Sequence, residues 1–148
     1  MIACAQSTHS VTDIFAHAAY FALGINLTEN RIKAAKDINF KNVMNKILEE
    51  NFSDIRNSMM QLLDHDLYIN LEKLVNQGKH RGLAEPIIAI EWKNQLTPYK
   101  VKFPKYFFNE KLQSECEFQK FLSQIYAMTS QMTVRTGVLI NRFLQTNY

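Results

Sequence analysis

Apolar residues recur at helical spacing over most of this chain. Val11, Ile14, Phe15, Ala18 and Ala22 share one helical face, and Ser10 followed by Asp13 resembles a capping box with Asp in place of Glu. A first helix is predicted from about 11 to 23, stopping at Gly24. Thr28 can cap the short basic segment ENRIKAAKD, after which Phe40, Val43, Met44, Ile47 and Leu48 repeat the spacing and predict two more helices. Ser53 or Asp54 can cap a fourth, with Ile55, Met59, Leu62 and Leu63 inward. Asp66 can start a fifth carrying Leu67, Leu71, Leu74 and Val75, with Gly78 as its terminating glycine.

From Pro86 the period changes to two. Ile88, Ile90 and Trp92 alternate with Ile87, Ala89, Glu91 and Lys93, and beyond NQLTP the residues Tyr99, Val101 and Phe103 alternate with Lys100 and Lys102. This predicts a small β-hairpin over 86–104, the only β-structure expected, against a competing helix that would take Pro86 as its first residue. On the hairpin the aromatics face the core and the lysines face solvent.

After Asn109 the helical period returns and persists through Phe118, Phe121, Leu122, Ile125, Met128, Met132, Leu139, Ile140 and Phe143. An unbroken helix from about 110 to 145 would be roughly 54 Å long, whereas a compact chain of this size has a radius of gyration of about 15 Å. The segment TSQMTVRTG holds poor helix formers and Gly137, so a break is expected there. Without a break, the apolar stripe calls for a partner.

Composition narrows the class. With 148 residues, 47% of them hydrophobic, and only 4 Gly and 3 Pro, the chain can bury one core and shows no linker, so one domain over 1–148 is expected. The N-terminus MIACAQSTHS lacks the basic and apolar regions of a signal peptide, and no apolar run is long enough to span a bilayer. Cys4 and Cys116 form no CxxC or metal-ligand spacing. A reduced cytoplasmic protein without membrane attachment is the expectation. The net charge of +3 is unevenly placed: over 86–111, Lys93, Lys100, Lys102, Lys105 and Lys111 face only Glu91 and Glu110.

Several spacings carry candidate chemistry. His9, Asp13 and His17, four apart, can share a metal, yet they lie opposite the apolar face of the first helix and read more simply as its solvated side. Glu91 and Lys93 have the E-x-K spacing of metal-dependent nucleases, but no second acidic strand is predicted beside them. GKHRG, residues 78–82, is a loop able to hold a phosphate or simply to connect elements. RIKAAKDINFKNVMNKIL can form a helix-turn-helix with Ala34, Ile38, Met44 and Ile47 inward, and Lys41, Asn42 and Asn45 toward a groove. No nucleophile elbow, Walker or dinucleotide motif is present, and no cofactor is implied.

The pattern therefore predicts a mainly α, single-domain helical bundle of roughly five to seven helices with a small hairpin. Its expected function is a non-catalytic protein-interaction module, a small adaptor or regulatory subunit. It would bind a second copy or a helical protein partner through Phe121, Ile125, Met128, Met132, Leu139 and Phe143. The alternative is nucleic-acid binding through Lys79, Arg81, Lys93, Lys100, Lys102 and Lys105, with the neighbouring aromatics as stacking platforms.

Overall fold

A computed structural model describes residues 2–27, 35–49, 52–80, 86–90, 99–108 and 110–147. In chain order these form α1 (Ile2–Ala22), α2 (Phe40–Glu49), α3 (Ser53–Leu63), α4 (Asp66–His80), β1 (Ile87–Ile90), β2 (Tyr99–Phe103), β3 (Tyr106–Phe108), β4 (Lys111–Gln113), β5 (Cys116–Glu117) and α5 (Phe118–Asn147). The fold is mainly α, as the periodicity predicts, and carries small antiparallel sheets. α1 packs on α2, α4 and α5, while α3 lies against α2 and α5. One hydrophobic cluster runs through all five helices and reaches the fully buried Phe103 of β2.

α1 departs from expectation at its start and in its orientation. It begins at Ile2, and Ser10 is no cap: it lies mid-helix, its hydroxyl donating to the Gln6 carbonyl at 2.9 Å, as Thr8 does to Cys4. Alanines at positions 3 and 5 favour the extra turns, against only the slight cost of the back-bonded hydroxyls. The buried side is Ala5, Thr12, Ala16, Ala19 and Tyr20, so Val11 and Ile14, expected inward, stand 40% and 68% exposed. Two physical preferences turn the helix this way. Small residues let it lie close to its neighbours, and Thr12 meets the Tyr68 hydroxyl at 2.8 Å. Because Asp13 is its only acidic or basic residue besides two histidines, apolar periodicity hardly distinguishes its faces.

Asn39 caps α2 by accepting the Asn42 N–H at 2.9 Å, and the short 3-10 turn Ala35–Asp37 precedes it. The rest of the expected basic helix, residues 28–34, lies outside the described residues. α3 starts after Phe52, which offers no side-chain cap, so neither Ser53 nor Asp54 takes the capping position. α4 is opened by His65, whose Nδ1 accepts the Leu67 N–H at 3.2 Å. It runs through Gly78 to His80 instead of ending there. A glycine in a helix costs only about 1 kcal/mol, which the burial of Leu71, Leu74 and Val75 on the same helix offsets.

The hairpin is present, with Ile87 opposite Lys102 and Ile90 opposite Tyr99. It is not the only β-structure: β5 pairs with the other side of β2, and β3 with β4 forms a second, two-stranded sheet. The run Tyr106–Phe108 favours strand through its aromatics. Glu110, directly before β4, adopts a left-handed φ of 64°.

α5 begins at Phe118 and continues for 30 residues without a break, through Gly137. At about 45 Å it is too long for any one neighbour, and successive elements cover it. Phe103 meets Phe118 edge-on at one end, and α3 covers the other, with Thr136 donating to the Ser58 hydroxyl at 2.9 Å and Phe143 edge-on against Phe52. That cover outweighs the poor intrinsic propensity of TSQMTVRTG. Among the described residues, no helix is long and apolar enough to cross a membrane.

Candidate functional site

The C-terminal stripe is consumed by the fold. Phe121, Ile125 and Met132 are buried in the core, Met128 and Leu139 are half-buried against it, and Phe143 is half-buried beside Phe52. α5, which carries these six residues predicted as a partner-binding surface, packs on α1, α3 and α4 of the same chain. The physical reason is that the shorter helices and β2 together match the length of α5. Its outward side keeps Tyr126, Val134 and Val138 exposed.

Lys100 and Lys102 share a face of β2, as alternation requires, but that face lines a cleft of about 610 Å³ beside α4 and not open solvent. Each is half-buried and paired with an acid of the β4–β5 segment, Lys100 with Glu117 at 3.9 Å and Lys102 with Glu115 at 3.4 Å. Nor is the opposite face all core, since Phe103 is buried, Val101 half-buried and Tyr99 exposed. β1 keeps Ile87, Ile88 and Ile90 exposed, while β2 packs on α5. Lys79 is exposed at the end of α4, and Lys105 lies exposed between β2 and β3. Arg81, Glu91, Trp92 and Lys93 lie outside the described residues. Of the predicted GKHRG loop, Gly78, Lys79 and His80 belong to α4.

His9 and Asp13 are not a solvated face. They line a cleft of about 560 Å³ between α1, α2, α3 and α4, together with Phe40, Arg56, Tyr68 and Glu72. Asp13 Oδ1 accepts the Phe40 N–H at 3.1 Å, which ties α1 to the start of α2. The His9 ring stacks on Tyr68 with centroids 5.9 Å apart. Burial pushes the His9 pKa down, the Asp13 carboxylate opposes this, and Lys79 adds to it. Burial raises Tyr68 to about 12, and since Thr12 gives its hydrogen to the His9 carbonyl, the Tyr68 hydroxyl donates to Thr12. Among the described residues, no three His, Cys, Asp or Glu side chains converge to hold a metal. For the helix-turn-helix reading, Ile38, Met44 and Ile47 are buried in this chain's core, and Lys41 and Asn45 are exposed. Asn39, within the same segment, caps α2.

What the sequence reading did not isolate is the outer side of α1. Cys4, Ser7, Val11, Ile14, Ala18 and Phe21 are all exposed, follow one another at alternating steps of three and four, and carry no charge. The signal was present as the near absence of charge over 21 residues. Such a helix needs cover on more than one side. No family model, curated protein or solved structure matches the chain.

Proposed function

We propose that the chain is a non-catalytic protein-interaction module, a small adaptor or regulatory subunit, whose docking face is the outer side of α1. The observation that carries this reading is the exposure of Val11, Ile14 and Phe21 (40%, 68% and 56%) on an uncharged helix face. Large apolar side chains aligned along one exposed element mark contact surfaces more often than scattered ones do. A reducing, cytoplasmic setting belongs to the same proposal, since Cys4 on that face and Cys116 are both free thiols. The nucleic-acid alternative draws less support, because Lys100 and Lys102 each face a glutamate.

The test is the size of the chain's native complexes in gentle extracts of the cells that make it, compared with the Val11→Asp/Ile14→Asp variant. The expected result is loss of the complexes with an unchanged circular dichroism spectrum and melting midpoint. Complexes that persist in the folded variant would overturn the reading.

A further inference from the structure

We infer that the partner on the outer face of α1 is a second copy of this chain, packed as an antiparallel helix pair about a two-fold axis; this rests on the docking face proposed above. The six exposed positions form a heptad seam. Cys4, Val11 and Ala18 recur every seven residues, as do Ser7, Ile14 and Phe21, with three residues from each member of the first set to the next of the second. This is the spacing by which one helix presents knobs and holes to another. The seam spans about 26 Å of helix at 1.5 Å per residue.

Size and charge argue for self-pairing. In an antiparallel pair, first-set positions face second-set positions of the other helix, which gives the layers Cys4 with Phe21, Ser7 with Ala18 and Val11 with Ile14. The largest side chain then meets a small one, and two branched side chains of similar volume meet at the centre. A parallel pair would stack Phe21 on Phe21 and Ala18 on Ala18, alternating crowded and empty layers. The positions flanking the seam, Ala3, Thr8, Ser10, Phe15, His17 and Ala22, hold no Lys, Arg, Asp or Glu. Flanking charges ordinarily choose a foreign partner and repel a like one. Here none opposes the copy, and none selects a stranger. A seam of this length alone falls at the low end of interface size, below about 1,200 Å² in total, so association in the micromolar range is expected.

The experiment uses the purified chain. Sedimentation of the wild type across ten to several hundred micromolar is expected to show a monomer–dimer equilibrium, weakened about 100-fold or more by Ile14→Asp, which would bury an unpaired carboxylate. Register is read by disulfide trapping in a Cys116→Ser background. Adding Phe21→Cys brings the new thiol opposite the native Cys4 of the other copy, so mild oxidation yields a covalent dimer that further Cys4→Ser abolishes. A strictly monomeric wild type at several hundred micromolar would overturn the inference, as would trapping through Cys4 alone without Phe21→Cys, which marks the parallel pair. If the purified chain is monomeric while extracts retain complexes sensitive to Val11→Asp/Ile14→Asp, the docking face stands and the second copy falls.

Discussion

Two threonines on α5 separate what a buried hydroxyl does when partnered from what it does when alone. Thr129 and Thr136 are seven residues apart on the same buried face; Thr136 donates to Ser58 at 2.9 Å, whereas Thr129 Oγ1 is buried without a partner. An unpaired hydroxyl in an apolar setting costs free energy, and Val has nearly the same shape. Thr129→Val is expected to stabilise the fold by about 1 kcal/mol, and Thr136→Val to destabilise it by about 1–2 kcal/mol because Ser58 is left unpaired. Chemical denaturation midpoints of the two variants should move in opposite directions. At the same scale, His9 links stability to pH. Burial holds its folded pKa below the ordinary histidine value of 6.5, so as pH falls through the unfolded value the unfolded chain takes up the proton first. The contribution to stability is complete above that value, declines through the window down to the folded pKa, and is lost below it. His9→Gln should flatten this part of the stability profile between neutral and mildly acid pH. Parallel profiles for the two proteins would remove His9 as the cause.

At the scale of elements, the β3–β4 turn stores a definable strain. A non-glycine residue in the left-handed region costs about 1–2 kcal/mol, and glycine gives back about 0.5–1 kcal/mol as chain entropy. Glu110→Gly at φ 64° should therefore raise stability by roughly 0.5–1 kcal/mol, or a few degrees in melting temperature. The strand pair itself was hard to read beforehand because three-residue strands carry too few positions to set a period. α2, α3, α4 and the β1–β2 hairpin were legible because single faces such as Val43, Met44 and Ile47, or Ile55, Met59 and Leu62, alternate sharply with polar positions. α1 was not, for the opposite reason. With apolar residues nearly all round, its orientation is set by close packing at Ala16 and Ala19 and by the Thr12–Tyr68 bond, which depend on a helix 56 residues away. The break expected in α5 failed similarly, since propensities of a few tenths of a kcal/mol per residue are overridden by tertiary cover. The cleft at His9 joins four helices, and spacing within one helix cannot show that Asp13 meets the Phe40 N–H.

For the whole molecule the question is which apolar surface the chain uses on itself and which it leaves for another. Ile125 and Ile14 are chemically the same residue on two long helices, one 0% and the other 68% exposed. Ile125 sits in the layer that fixes α5 to the bundle, so Ile125→Asp places a carboxylate where neither water nor a partner reaches it. The cost is expected to exceed about 4 kcal/mol, a large part of the roughly 5–15 kcal/mol that holds a domain of this kind together. That variant should lose its cooperative melt. Ile14→Asp puts the same carboxylate into water on the monomer, leaves the core intact, and should change the melting midpoint by no more than about 0.5 kcal/mol equivalent at dilute concentration. Circular dichroism melts of both variants at low micromolar protein test the assignment of inside and outside. A folded Ile125→Asp variant would mean that the α5 stripe is not the core it forms here, and an unfolded Ile14→Asp variant would mean that the outer face of α1 already supports the isolated chain.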